Sequence, residues 1–178
     1  MSEVKVEILY VFDFDGTLIN TGKGDDKQKT IYKEKTGEDW PWESWWDRKE
    51  SLDTNIYTYT PNPEVTNIYH KIINNPSIFT VMLTGRKTHL SEYVENVLNK
   101  HGVTYFDRYM YNYGGSTLMN KKDQIFNLVN ELPNIKKLIM YDDRDAHIPQ
   151  FKTFGLDLIN MGYIEEFNIY HVKDGRVQ

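Results

Sequence analysis

Four short polar groups in this chain carry residue types suited to handling a phosphate ester. The first is Phe12-Asp13-Phe14-Asp15-Gly16-Thr17, with two carboxylates in alternate positions after an apolar run. The second is Leu83-Thr84-Gly85-Arg86, the third a lysine in Lys121-Lys122, and the fourth Tyr141-Asp142-Asp143-Arg144. So many carboxylates in one place would need a cation, and an all-oxygen set suits Mg²⁺ better than zinc or copper. A phosphomonoester is anionic and resists an anionic nucleophile unless positive charge offsets both. These parts predict that Asp13 attacks phosphorus, which splits one hard step into two. Asp15 would protonate the leaving oxygen and then activate water. Thr84, Gly85 and a lysine would bind the phosphoryl group. Asp13, the Asp15 backbone carbonyl, Asp142 and Asp143 would hold Mg²⁺. Arg86 and Arg144 would touch substrate or pair with these carboxylates.

The elements that must bring these groups together are also legible. Val4 to Phe12, Ser77 to Leu83 and Lys137 to Tyr141 are β-branched and apolar, and read as buried strands. Tyr105 to Tyr111 reads as a further strand. Helical periodicity predicts helices over Lys27–Lys35, Glu64–Asn74, Ser91–Lys100 and Lys122–Leu132, and around Ile148–Phe154. Leu156 to Asn160 reads as a last strand, and the tail from Glu165 as peripheral. Strands alternating with helices predict an α/β fold, a Rossmann-like three-layer αβα sandwich with a mainly parallel sheet. In such sheets ligands bind beyond the carboxyl ends of the strands, where three of the polar groups lie.

Composition sets the outer bounds. The 178 residues fit one domain with a small inserted segment at about residues 20–60. With no cysteine, disulfides and thiolate metal sites are excluded. A net charge of −5 argues against a nucleic-acid binder that uses its whole surface. The opening Met1-Ser2-Glu3-Val4-Lys5 lacks the pattern of a signal peptide, so a soluble, intracellular protein without membrane contact is expected.

Taken in order, the four groups resemble the motifs of the haloacid dehalogenase (HAD) superfamily. That resemblance implies the Rossmann-like fold, Mg²⁺ and an aspartyl-phosphate on Asp13. Trp45-Trp46, Tyr59-Thr60-Pro61-Asn62-Pro63-Glu64-Val65, Leu83-Thr84-Gly85-Arg86 and Tyr141-Asp142-Asp143-Arg144 are similar to the HAD family called Swiss Army Knife RNA repair-like. Lys122-Asp123-Gln124-Ile125-Phe126 followed by Asp142-Asp143-Arg144 also resembles the 3′-phosphatase domain of phage polynucleotide kinase. Both imply removal of a phosphate from nucleic-acid ends. Lys121 and Lys122 point about 100° apart on a helix, and the polynucleotide-kinase pattern favours Lys122.

Neither stretch between motifs is long enough for a large cap domain, so an open site with a minimal cap is expected. Within the insert, Lys23, Lys27, Lys29, Lys33 and Lys35 precede four tryptophans. Such a pairing of cations with aromatic faces suits a single strand. The tryptophans are read first as packing and the lysines first as a solvated face, with Trp45 and Trp46 as candidate substrate contacts. Two other readings compete. One is a HAD-class enzyme for nucleotides or other small phosphates. The other is a binding module without turnover, against which the full set of motif residues speaks.

Overall fold

The alternation of side chains along β1 (Ile8–Phe12) organises the molecule, described for residues 4–178 in a computed structural model. Leu9 and Val11 point into one buried cluster and Phe12 into another, so both faces of this strand are covered. The reading of the opening Met1-Ser2-Glu3 lies outside the described residues.

Strand β1 sits in the middle of a sheet ordered β5-β4-β1-β6-β7-β8. It pairs in parallel with β4 (Ile78–Lys87) and β6 (Lys137–Asp142), with Phe12 opposite both Met82 and Tyr141. Strand β5 (Arg108–Asn112) extends one side in parallel, and β7 (Glu166–Lys173) the other. The two-residue β8 (Arg176–Val177) turns back antiparallel on β7. One face carries α2 (Pro63–Ile72) and α3 (Ser91–Lys100), which bury Val65, Tyr69, Val94 and Leu98 with Phe12. The other carries α4 (Thr117–Glu131) and α5 (Ile148–Asn160), with Ile125, Val129, Phe151 and Leu158 against Leu9 and Val11. The three-layer αβα architecture matches the expectation.

Two segments differ from the sequence reading. Leu156–Asn160 is the end of α5, because Ile148, Phe151, Gly155 and Leu158 form one helical face. The tail is not peripheral: β7 is a full parallel strand of the sheet. Gly155 matters here, since a Cβ at that position would overlap the Phe167 ring.

Between β2 (Ile19–Asn20) and β3 (Thr60–Pro61), which pair antiparallel, the chain makes its insert. Helix α1 (Asp26–Thr36) starts at Asp25, whose carboxylate accepts the N–H groups of Lys27 and Gln28. It ends at Gly37 with φ 82°, and only Tyr32 is buried. Its lysines 27, 29, 33 and 35 lie on exposed surface. Trp40 is 4.9 Å from both Trp42 and Trp45 between ring centroids, and Tyr32 and Tyr57 close the cluster. So small a segment gains its core from large aromatic side chains. No helix among the described residues is long and apolar enough to cross a membrane.

Candidate active site

The ends of β1, β4 and β6 open into a cleft of about 460 Å³. Chain direction across the sheet reverses here, from β1 towards β4 and β5 on one side to β6 and β7 on the other. Asp13 follows β1 directly and stays in register, its N–H donating to the Tyr141 carbonyl at 3.0 Å. Gly16 then turns the chain with φ 70°, and a Cβ there would overlap the Asp143 carboxylate. Glycine is therefore required both for the turn and for the approach of the first motif to the fourth.

Asp13 is 6% exposed and Asp142 1%, and Lys121 lies between them. The Lys121 Nζ donates to Asp13 Oδ1 at 2.9 Å and to Asp142 Oδ2 at 2.6 Å. Burial pushes the Asp13 carboxyl well above its usual range; Lys121 opposes this, while Asp142 and Asp143 add to it. Burial likewise raises Asp143, with Asp142 as the next cause. Burial also works against the Lys121 ammonium, but the Asp13 and Asp142 carboxylates outweigh it and hold its pKa above the ordinary lysine value. The structure therefore brings Lys121, and not Lys122, to the cleft. Helix α4 begins at Thr117, five residues before the expected Lys122, with the Ser116 hydroxyl accepting the Met119 N–H at 3.5 Å. In that phase Lys121 faces the sheet, and Lys122 lines a separate groove with Phe126 and Phe154.

Asp15 lines the same cleft but is held by other partners. Arg86, 2% exposed, grips it with two bonds of 2.9 Å, from Nε to Oδ2 and from Nη2 to Oδ1. The Thr21 hydroxyl adds a third at 2.7 Å. The same guanidinium reaches the insert through Nη1, which donates to the Trp46 carbonyl and to Ser51 Oγ, each at 2.8 Å. Arg86 thus joins the first motif to the insert, and its ion-pair reading is the one observed. Thr84 is fully buried, and its hydroxyl accepts the Arg86 N–H at 3.1 Å. Gly85 lines the cleft opposite Thr117, where a Cβ would come within 2.7 Å of the threonine methyl.

The tryptophans divide. Trp45 is buried and donates its indole N–H to the Gly22 carbonyl at 2.9 Å, so it holds the insert together and does not reach the cleft. Trp46 lines the cleft, 41% exposed, with its ring 5.0 Å from the Arg86 guanidinium. Arg144 also lines the cleft and is exposed. Beyond it, His171 of β7 holds the fourth motif, its Nε2 3.3 Å from the Asp143 carbonyl and 3.0 Å from Asp145 Oδ1. The sequence reading missed His171, Thr21 and Ser51; the alternation Phe167-Asn168-Ile169-Tyr170 was the available signal for the strand that carries His171.

Asp13, Asp142 and Asp143 can each present a carboxylate oxygen within 4.8 Å of the others. Lys121 is the cation hydrogen-bonded inside this group. Three carboxylates gathered beside one ammonium, with burial opposing the ionisation of Asp13 and Asp143, fit a hard divalent cation such as Mg²⁺. The Asp15 carboxylate is already occupied by Arg86 and Thr21, so its backbone carbonyl is the ligand it could offer.

Known proteins place the chain. Solved structures share its fold at low identity. A haloacid dehalogenase-like hydrolase of Streptococcus pneumoniae is 14% identical with a TM-score of 0.54, over 92% of this chain and 94% of that one. An archaeal β-phosphoglucomutase of Pyrococcus is 16% identical with a TM-score of 0.54, over 83% of each chain. The HAD domain of the Legionella pneumophila effector protein Lem4, as an inactive mutant, is 15% identical with a TM-score of 0.58, over 97% of this chain and 88% of that one. No curated protein matches the chain by sequence. A family model, HAD domain family 1 in Swiss Army Knife RNA repair proteins, matches residues 27–178, which include Thr84, Lys121 and Asp142. The chain belongs to that family and is a HAD-type hydrolase.

Proposed function

We propose that this protein is a Mg²⁺-dependent phosphomonoesterase that removes a terminal phosphate from a nucleic-acid strand through an aspartyl-phosphate on Asp13. The observation that carries the reading is the set of Asp13, Lys121, Asp142 and Asp143 at the mouth of the parallel sheet. The family's occurrence in RNA repair proteins supports the substrate class. So does the small insert, which acts as a minimal cap and leaves room for a macromolecular end.

Bound at Asp13, Asp142 and Asp143, the divalent cation would supply positive charge that offsets the carboxylates beside a phosphate dianion. An Asp13 oxygen attacks phosphorus, and the bond from phosphorus to the ester oxygen breaks. Asp15 gives its proton to that leaving oxygen. In the second step Asp15 takes a proton from water, which attacks phosphorus and releases orthophosphate and the free Asp13 carboxylate. Lys121 holds Asp13 in place through its 2.9 Å bond and offsets charge building on the phosphoryl oxygens. Both Asp15 oxygens are engaged by Arg86 and Thr21, so proton transfer requires Asp15 to release one of these bonds.

Phosphate release in Mg²⁺ from 3′- or 5′-phosphorylated oligonucleotides, mononucleotides and sugar phosphates tests the assignment. Oligonucleotide ends are expected to give the highest kcat/KM. Faster release from the small phosphates would replace the strand with a small-molecule substrate. Arg86→Lys keeps the charge but loses the two-pronged grip on Asp15. Turnover of a ribose phosphate is expected to fall roughly 10- to 100-fold. An aryl phosphate should lose less, because its leaving oxygen needs little help from an acid. Equal losses on both substrates would make Arg86 a support of the fold alone.

A further inference from the structure

The cations around the cleft are not equivalent. Lys121 is bonded to Asp13 and Asp142, and Arg86 to Asp15. Lys23 and Arg144 also line the cleft, yet among the described residues neither pairs with a carboxylate within 4.0 Å. One scissile phosphate would already be met by Lys121 and by the divalent cation proposed at Asp13, Asp142 and Asp143. Two further exposed cations at the mouth call for additional negative charge on the substrate.

The loop that carries Lys23 is built to present it. On one side Gly22 is held by the Trp45 indole N–H at 2.9 Å. On the other, Gly24 has φ 74° and packs so close that a Cβ would lie 2.5 Å from Trp45 Cγ. Asp25, next along, caps α1. Lys23 lies where the cleft meets a second cavity of about 330 Å³, lined by Asn20, Thr21, Lys173 and Gly175. The two cavities share Lys23, Asp143 and Asp145 as lining residues, so Lys23 stands at the border between the cleft and its neighbour.

Trp46 supplies the other component. The remaining tryptophans pack into the insert, while this ring keeps exposed surface on the cleft wall. Its backbone is fixed by the Arg86 bond to its carbonyl, and the guanidinium lies 5.0 Å from the ring. A large aromatic surface held in place beside a phosphate site suits stacking against a base.

We infer that Lys23, Trp46 and Arg144 form a strand-recognition site, in which Trp46 stacks on the nucleobase beside the scissile phosphate and the two cations take the phosphodiester beyond it. This inference rests on the proposed phosphatase reading and specifies its minimal substrate: two linked nucleotides with a terminal phosphate.

The test compares an aryl phosphate, nucleoside 3′- and 5′-monophosphates, and dinucleotides carrying the same terminal phosphates. A rise in kcat/KM of about tenfold or more is expected from mononucleotide to dinucleotide. Raising the salt should erase much of that rise. In Lys23→Ala and Arg144→Ala the step and its salt dependence should shrink, and in Trp46→Ala the preference of the mononucleotide over the aryl phosphate should shrink. Dinucleotides no better than mononucleotides, or variants that lose the same factor on every substrate, would overturn the recognition site while leaving the phosphatase intact. No turnover of any nucleotide, with active hydrolysis of the aryl phosphate, would instead overturn the substrate reading beneath it.

Discussion

Asp13→Asn is expected to lower turnover by roughly 10⁴-fold or more without unfolding the protein. The substitution keeps the shape of the side chain, so the Lys121 ammonium still meets an oxygen at that position and retains Asp142 at 2.6 Å. It removes the nucleophilic charge and, with it, one of three carboxylates crowded around Lys121. Burial and the neighbouring Asp142 and Asp143 both oppose ionisation of Asp13, so its charge is a burden on the metal-free protein. The melting temperature without metal should therefore be unchanged or higher in the variant. The rise produced by Mg²⁺ should shrink, because a ligand that binds the folded state stabilises it in proportion to its affinity. Phosphate release and thermal melting with and without Mg²⁺ check both halves. Acid-quenched wild-type protein should also carry a hydroxylamine-sensitive phosphate that the variant lacks. Residual turnover within tenfold of wild type would assign the attack to another group.

Most of the site was visible in the sequence because each motif follows a run of residues with an unmistakable burial pattern. Asp13 follows β1 directly, Asp142 ends β6, and Thr84 comes two residues after the last β4 position paired with β1, so parallel pairing in register brings the three to one edge of the sheet. The lysine was harder, since Lys121 and Lys122 differ only in helix phase. The buried stripe of Ile125, Leu128 and Val129, carried back four residues from Ile125, arrives at Lys121. Partly buried Phe126 pulls the same extrapolation towards Lys122. The tail escaped detection for a different reason. Strand β7 lies near the sheet edge and mixes Asn168 and His171 with apolar residues, while Leu156-Asp157-Leu158 alternates as a strand does but lies in a helix. Trp45 and Trp46 were singled out as candidate contacts, but the sequence did not distinguish these two neighbours from each other. The division of the tryptophans into one that lines the cleft and three that pack follows from contacts distant in sequence, such as Arg86 with the Trp46 carbonyl and Trp45 with Gly22.

Replacing each of the adjacent lysines by methionine separates their roles. Lys121 is 2% exposed, and its ammonium is hydrogen-bonded to the buried Asp13 and Asp142 carboxylates. Lys121→Met leaves two carboxylates buried without that partner, a loss of about 3–5 kcal/mol. For a chain of this size that corresponds to a drop in melting temperature of roughly 6–20 °C. Mg²⁺ should restore part of the stability, because a divalent cation offsets the same carboxylates. It should not restore turnover, since the ammonium that steadies Asp13 and the phosphoryl charge is gone. Lys122 lies in the groove between α4 and α5 beside Phe126 and Phe154, away from every carboxylate of the cleft. Lys122→Met should change stability by no more than about 0.5 kcal/mol and leave turnover at the wild-type level. The reverse pattern, with Lys122→Met inactive and Lys121→Met active, would mean that α4 turns to present the other lysine. A buried ammonium with two carboxylate partners makes that rotation costly, because Ile125 and Val129 would have to leave the core with it.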